Sequence, residues 1–117
     1  MTQDLNIFSR AKLLLGEEAL EKLRSARVAL FGIGGVGSFA AEALARGGVG
    51  HITLVDGDTV SITNINRQLI ALHSTVGKEK TAVMAERIRR YFAGNRSGNL
   101  SRGLWAENRD LLDFFHL

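Results

Sequence analysis

The chain has 117 residues, a formal net charge of +3, 45% apolar residues and 23% charged residues, values typical of one small globular domain. It contains no cysteine, which excludes a disulfide framework, a thiolate metal site and a cysteine nucleophile within this sequence. The segment MTQDLNIFSR lacks the apolar core of a signal peptide, and no run of 18 apolar residues occurs. We therefore expect a cytoplasmic protein with no membrane span.

Residues 1–26 are predicted to form a helical arm. Two short helical pieces, 10–15 and 17–23, are separated by Gly16, and Leu20 and Leu23 share one face of the second piece. The arm precedes the first apolar run of the chain and is treated as a unit of its own.

A glycine-rich turn then separates a short apolar strand from a helix. RVALF (27–31) has the length and composition of a buried strand, and GIGGVGS follows directly. The helix should bury one apolar face and end at Gly47 and Gly48. The predicted members of that face are Val36, Phe39, Ala40, Ala43 and Leu44. A second apolar run, ITLV (52–55), delivers Asp56 at its carboxyl end.

This strand–helix–strand order predicts a nucleotide site for physical reasons. Gly32 and Gly34 permit a tight turn and a close approach to phosphate oxygens, and Gly37 lets the helix pack against the strand. The free N–H groups at the start of the helix, near Val36, favour an anion. Asp56 follows Gly37 by 19 residues, where a carboxylate can accept both hydroxyls of a ribose. The pattern indicates an adenine nucleotide but does not choose between ATP and a dinucleotide.

The chain beyond the second strand is less regular. A short helix is predicted around 65–72, with Asn64 as a possible cap and with Arg67 one turn away on the same face. A longer helix from about 78 to 92 should bury an apolar side. That side comprises Met84, Ala85, Ile88, Tyr91 and Phe92.

Residues 93–110 contain no run of apolar strand-forming residues, so no third strand is expected there. The fold class is therefore α/β, a Rossmann-like three-layer nucleotide-binding fold that is incomplete. It is expected to stop after the first βαβ unit and the following helix. The predicted units are 1–26, 27–92 and an irregular segment, 93–117.

The segment Asp56-Gly57-Asp58-Thr59-Val60 resembles the motif of the ThiF-like adenylating enzymes, whose fold is shared with ubiquitin-activating proteins. Asn64, Arg67, Gln68 and Lys80 extend the resemblance. The stretches FSRAKLLLGEEALEKL, EALARGGVG and TNINRQLIALHSTVGKEK are most similar to tRNA threonylcarbamoyladenosine dehydratases. The resemblance covers about residues 7–90.

The resemblance implies ATP as the nucleotide. It implies catalytic roles for Arg10, which would reach into a partner subunit, and for Asn64, Arg67 and Lys80. The implied nucleotide-binding residues are Gly32, Gly34, Gly35, Gly37, Asp56, Asp58, Asn64, Arg67, Gln68 and Lys80. It also implies Mg²⁺, although the expected aspartate ligand would lie beyond Leu117 and no residue of this chain is assigned to the metal.

The implied reaction is ATP-dependent adenylation of a carboxylate, followed by cyclising dehydration of threonylcarbamoyladenosine in tRNA by a homodimer. The late basic residues would attract tRNA phosphates or simply form a solvated helix face. They are Lys78, Lys80, Arg87, Arg89, Arg90, Arg96 and Arg102.

Three alternatives stay open at this point. Within the superfamily, the enzyme could activate the carboxyl terminus of a ubiquitin-like sulfur-carrier protein. The glycine turn and Asp56 also fit a fragment of an NAD-dependent oxidoreductase, although Arg67 and Lys80 do not. A non-enzymatic nucleotide-binding or dimerisation module is the third.

Overall fold

A computed structural model of the chain describes residues 6–92 and 104–107. Its elements, in chain order, are α1 (Ser9–Leu15), α2 (Glu17–Ser25), β1 (Arg27–Phe31), α3 (Gly37–Arg46), β2 (His51–Val55), a 3₁₀ turn (Ile62–Asn64), α4 (Lys80–Phe92) and β3 (Leu104–Glu107). The three strands form one parallel sheet in the order β1-β2-β3. The two glycine-flanked strands and the helix between them therefore lie where the sequence predicts them.

The sheet is held in register along the whole of β2. Arg27 pairs with His51 and Phe31 with Val55 on one side, and Ile52 pairs with Leu104 on the other. The expectation that residues 93–110 contain no strand was wrong, because LWAE (104–107) pairs with β2. Four residues suffice for this strand since β2 supplies a regular edge of backbone donors and acceptors, a long-range feature that local composition does not reveal. The prediction of an irregular segment concerns residues that, outside 104–107, the structure does not describe.

Helix α3 buries a different face from the one that its apolar spacing predicts. Val36 is 86% exposed and Phe39 53% exposed, whereas Ser38, Ala41 and Ala45 are buried. The reason is the closeness of the helix to the sheet. A Cβ atom at Gly37 would lie 1.7 Å from the carbonyl oxygen of Gly32, so only small side chains fit on the inner face and the larger ones point outward.

Helix α4 packs beside α3 and completes the core. Met84, Ala85 and Ile88 are buried, which confirms the predicted apolar side at these positions; the side chain of Phe92 lies outside the described part. The remaining core residues come mainly from the strands and the connecting loops, and include Ile33, Ile52, Leu54, Val60 and Ile70.

An ionic cluster links α3 to α4 at their solvent-facing edge. Arg87 donates from Nε and Nη2 to Oε2 of Glu42, at 3.0 and 2.6 Å, and the Arg46 guanidinium lies 4.0 Å from the centre of the Tyr91 ring. Burial by itself would raise the pKa of Glu42, but the neighbouring Arg87, Tyr91 and Arg46 outweigh it and lower that pKa. Burial and the nearby Glu42 carboxylate raise the pKa of Tyr91.

The helical arm packs at the amino ends of the strands. Gly16 separates α1 from α2 with φ of 84°, as the sequence predicts. A Cβ at Gly48, just before β2, would touch Phe8 and Leu23. None of the described helices is long and apolar enough to cross a bilayer.

Candidate nucleotide site

The turn between β1 and α3 presents backbone N–H groups at the carboxyl end of the sheet. Within the described chain, the N–H groups of Gly34, Gly35 and Val36 donate to no backbone carbonyl. No side chain caps α3. Unpaired N–H groups at the amino end of a helix favour an anion. The turn therefore has the free N–H groups that the predicted phosphate site requires, and the role of its glycines stays a prediction.

The carboxylate of Asp56 ties this turn to the loop that follows β2. Its Oδ2 accepts from the Ile33 N–H at 2.7 Å, and its Oδ1 accepts from the Asp58 N–H at 2.7 Å. Each carboxylate oxygen has a second lone pair, so the ribose role predicted for Asp56 is compatible with this bracing. Asp58 itself is exposed beside it.

A short antiparallel pairing carries Lys80 to the same place. The Val60 N–H donates to the Lys78 carbonyl at 2.8 Å, and the Lys80 N–H donates to the Asp58 carbonyl at 3.1 Å. Thr59 and Glu79 form the bridge between these bonds. The start of α4 is thereby held next to the Asp56–Asp58 loop, although 22 residues separate Lys80 from Asp58.

Lys80 is the most unusual charged side chain in this part of the structure. It is only 7% exposed, yet among the described residues its ammonium group makes no hydrogen bond or ion pair. Its Nζ is not one of the buried side-chain polar atoms that lack a partner, so the aliphatic stem is buried while the ammonium group reaches solvent. Lys78, its neighbour on the chain, is exposed. Lys80 is therefore placed to meet an anion that the protein does not itself supply.

The prediction of a helix over residues 65–72 was wrong. The segment forms the 3₁₀ turn Ile62–Asn64 followed by turns. The Asn64 side chain does not cap a following helix; its Oδ1 accepts from the Ser61 N–H, three residues earlier, at 2.8 Å. The compact turn is favoured because the side chains of Ser61 and Asn64 both bond to the backbone and compete with helical pairing. Asn64 is buried, and its other functional role stays a prediction.

The same turns press Arg67 and Gln68 against the glycine turn. A Cβ added at Gly35 would lie 3.9 Å from Cγ of Arg67, and one added at Gly34 would lie 3.5 Å from Nε2 of Gln68. The Arg67 guanidinium is exposed and donates to the Thr63 carbonyl at 3.0 Å. Gln68 is buried, and among the described residues its Oε1 has no partner. The glycines thus face side chains that approach from a distant part of the sequence.

Ser38 is a site residue that sequence reasoning missed. It is fully buried on α3, donates from its hydroxyl to the Gly34 carbonyl, and accepts from the Leu69 N–H at 3.2 Å. The signal was a hydroxyl directly after the glycine turn, inside a helix whose other inner residues are alanines.

Arg10 lies apart from these groups. It is an exposed residue of α1, on the arm that packs at the opposite end of the strands, and among the described residues it makes no polar contact. The structure does not bring it to the glycine turn of its own chain.

The late basic residues divide into several groups. Lys80 is buried, Arg87 pairs with Glu42, and Arg90 lies 3.7 Å from Glu86. Lys78 and Arg89 are exposed. Arg96 and Arg102 lie outside the described residues. The basic surface is therefore smaller than the sequence suggests.

Among the described residues, no three histidine, aspartate or glutamate side chains come together at one point, so these side chains do not by themselves enclose a metal ion.

The glycine turn at the start of α3, the carboxylate after β2 and the parallel order of the strands define a Rossmann-like nucleotide-binding fold. Arg67 and Lys80, the cations that follow β2 in the chain, narrow the class of nucleotide-binding protein. A family model described as the ThiF family matches residues 8–97, and the chain belongs to that family.

Its relatives include tRNA threonylcarbamoyladenosine dehydratases from Bacillus subtilis (62% identical over 84 residues; 72% of this chain and 33% of the relative) and from Escherichia coli (59% over 76 residues; 65% and 28%). The E. coli enzyme crystallised with ATP superposes with a TM-score of 0.75 at 44% identity, over 87% of this chain and 39% of that one. E. coli MccB with ATP gives a TM-score of 0.79 at 26% identity, over 99% and 35%. The chain thus spans about a third of the length of these relatives.

Proposed function

We propose that the protein binds ATP at the glycine turn and adenylates a carboxylate, as part of an enzyme that dehydrates threonylcarbamoyladenosine in tRNA. The observation that carries the proposal is Lys80, a largely buried residue whose ammonium group has no partner among the described residues. Its backbone N–H is bonded to the Asp58 carbonyl, two residues after the carboxylate that can hold a ribose and that accepts from the Ile33 N–H beside the glycine turn. Hydride transfer to or from a nicotinamide needs no positive charge at the phosphates. Transfer of an adenylyl group from pyrophosphate to a carboxylate does, because negative charge grows on the phosphate oxygens.

The chemistry follows from the positions of these groups. A carboxylate oxygen of the substrate attacks the α-phosphorus of ATP, the bond from that phosphorus to the bridging oxygen breaks, and pyrophosphate leaves with the electron pair. Negative charge grows on the phosphate oxygens during this step, and Lys80 and Arg67 would stabilise it beside the N–H groups of the turn. An internal oxygen or nitrogen nucleophile then attacks the acyl-adenylate and releases AMP. The net change in the substrate is the loss of one water.

The relatives support this assignment of the nucleotide and the substrate. The E. coli dehydratase has been crystallised with ATP and with AMP, which are the nucleotides at the two ends of an adenylation. The tRNA threonylcarbamoyladenosine dehydratases share more sequence with the chain than a molybdopterin-synthase adenylyltransferase does. That adenylyltransferase, from Salmonella typhimurium, is 42% identical over 80 residues, which cover 67% of this chain and 32% of the relative. We accordingly place tRNA ahead of a sulfur-carrier protein as the substrate, and the protein in the cytoplasm with it.

The measurement that tests the proposal is ATP–pyrophosphate exchange with tRNA that carries threonylcarbamoyladenosine. We expect exchange and the loss of one water from the modified base, and we expect Lys80→Met to reduce exchange by about 100-fold. Lys78→Met is the matched control, since Lys78 lies two residues away but is exposed; it should exchange like the wild type. If exchange requires a ubiquitin-like carrier protein instead of tRNA, the carrier protein would be the substrate. Equal loss in both variants, or binding of NAD without exchange, would contradict the proposal.

A homodimer would explain the position of Arg10. Helix α1 exposes Leu13 and Leu14 by 88% and 85%, an apolar surface that a second subunit can cover. Arg10 lies on the same helix and would then enter the partner's site, where a guanidinium suits a phosphate.

Subunit mixing tests this arrangement. Arg10→Ala and Lys80→Met should each be inactive, and mixing them should restore part of the exchange activity, because the heterodimer contains one site with both cations. No recovery after proven exchange of subunits would show that Arg10 serves its own chain or none.

A further inference from the structure

The hydroxyl of the fully buried Ser38 bonds to two separate parts of the candidate site, the glycine turn and the segment 65–72. It donates to the Gly34 carbonyl in the glycine turn and accepts from the Leu69 N–H, 3.2 Å away. Leu69 directly follows Gln68 and Arg67. One hydroxyl therefore joins the backbone that would hold phosphates to the segment that carries two of the polar side chains.

The segment has little other regular structure to fix its place against the turn. Residues 65–72 are turns, not a helix, and their backbone bonds run within the segment, such as Arg67 N–H to Asn64 and Ala71 N–H to Gln68. The Leu69 amide is the group that bonds across to α3. Both hydrogen bonds are partly buried, where a hydrogen bond is stronger than in water.

We propose that Ser38 is a positioning residue, whose hydroxyl holds Arg67 and Gln68 at the correct distance from the phosphate-binding turn. The proposal rests on the proposed function, since it assigns Ser38 to ATP binding through those two side chains. Ser38 does not itself touch the nucleotide in this account. Its oxygen is already shared between Gly34 and Leu69.

This role differs from that of Lys80. Lys80 reaches the site from α4 through the pairing with Asp58 and forms no hydrogen bond with Ser38. Removing the hydroxyl should therefore weaken what Arg67 and Gln68 contribute and leave the contribution of Lys80 intact. A double-mutant cycle separates the two, because residues that act through one element are non-additive and independent ones are additive.

The first experiment measures hydrogen exchange of the Leu69 amide in Ser38→Ala, without nucleotide. We expect its exchange to accelerate by about tenfold or more, because the amide loses its acceptor. Unchanged exchange at Leu69 would overturn the proposal, whatever the protein binds. Ser38→Cys, which keeps a weak acceptor of similar size, provides a second folded variant in case Ser38→Ala does not fold, and should give an intermediate rate.

The second experiment measures the Kd for ATP by calorimetry. Ser38→Ala should weaken ATP binding about tenfold in the wild-type background, and again about tenfold when combined with Lys80→Met. It should have little further effect in the double variant Arg67→Ala/Gln68→Ala. A tenfold loss in the Arg67→Ala/Gln68→Ala background as well would mean that Ser38 only supports the fold, and would overturn the proposal.

Thr75→Ala is the matched control. The Thr75 hydroxyl braces the same stretch of chain, bonding the Ile70 carbonyl at 2.6 Å and the Leu72 N–H at 2.9 Å, but it does not reach the glycine turn. It should leave the Kd for ATP within about twofold of the wild type. A wild-type protein that fails to bind ATP would contradict the proposed function alone, since the exchange rate of Leu69 still decides whether the link exists.

Discussion

The candidate site consists of two halves that are built in different ways. The half formed by the β1–α3 turn and Asp56 consists of backbone N–H groups and one carboxylate. The turn directly follows β1 in the sequence, and Asp56 directly follows β2. The half formed by residues 58–80 consists of side chains, carried on turns and on the start of α4. The first half suits any adenine dinucleotide or ATP. The second half, with the unpaired ammonium group of Lys80, favours the triphosphate.

The comparison teaches that affinity and selectivity have separate structural sources here. Backbone geometry provides a place for phosphate and ribose, and the cations decide how many phosphates are favoured. Gly37→Ala, Asp56→Asn and Arg67→Ala should damage one half or the other, and Glu42→Gln should weaken the ion pair between α3 and α4 outside both halves, in order of decreasing effect.

Gly37→Ala should do the greatest damage, because it disrupts the first half itself. The new Cβ would lie 1.7 Å from the Gly32 carbonyl oxygen, so α3 must move off β1, at a cost above about 4 kcal/mol. Gly35→Ala is the control, since its Cβ would meet nothing closer than 3.9 Å and should cost below about 1 kcal/mol. Urea unfolding followed by circular dichroism checks both. Equal stabilities would show that α3 does not approach the strand so closely.

Asp56→Asn should weaken all adenine nucleotides alike. An amide has one acceptor oxygen, so either the Ile33 or the Asp58 N–H loses its partner, and stability should fall by about 1–3 kcal/mol. The Kd values for adenosine, AMP and ATP should rise by similar factors, as measured by calorimetry. A loss confined to ATP would assign Asp56 to the phosphates instead of the ribose.

Arg67→Ala should weaken ATP and leave adenosine unaffected. The guanidinium is exposed and bonds only within its own loop, so stability should change by less than about 0.5 kcal/mol, while ATP binding falls by about 1–2 kcal/mol. Arg89→Ala, an exposed arginine on α4, is the control and should match the wild type. Equal weakening of adenosine would mean that Arg67 shapes the first half.

Glu42→Gln should have the smallest effect, and one that depends on pH. The pKa of Glu42 is lowered in the folded state from 4.5, so the unfolded chain binds more protons near that pH and stability falls as the pH drops. The variant lacks this dependence and should lose about 1 kcal/mol at neutral pH but little at low pH. Chemical unfolding from pH 7 to pH 3 checks this. Parallel curves for the two proteins would contradict the role of the Arg87 pair.

The two halves also differ in how far the sequence predicts them. The β1–turn–α3–β2 unit follows from apolar runs and glycines that are close together in the chain, and the structure confirms it. The inner face of α3 was mispredicted, because the closeness set by Gly37 reverses which side is buried. The turns at 62–72 combine the local bonds of Ser61 and Asn64 with one long-range bond to Ser38, and strand β3 depends on the edge of β2. Local patterns do not report such distant partners.

The nearness of Lys80 to the loop after β2 shows the same limit. The resemblance to the family pointed to Lys80, but composition and spacing did not indicate that this residue would be largely buried. That property comes from the pairing of residues 58–60 with 77–80, which joins a loop to a helix start.

The double attachment of the Asp56 carboxylate links occupancy of the pocket to the local rigidity of the main chain. A ribose hydroxyl that donates to the Asp56 carboxylate would either weaken or shorten the hydrogen bond that this carboxylate accepts from the Ile33 N–H. In either case the exchange protection and chemical shift of that single amide should report binding, so the protein carries a spectroscopic probe for adenine nucleotides that requires no label.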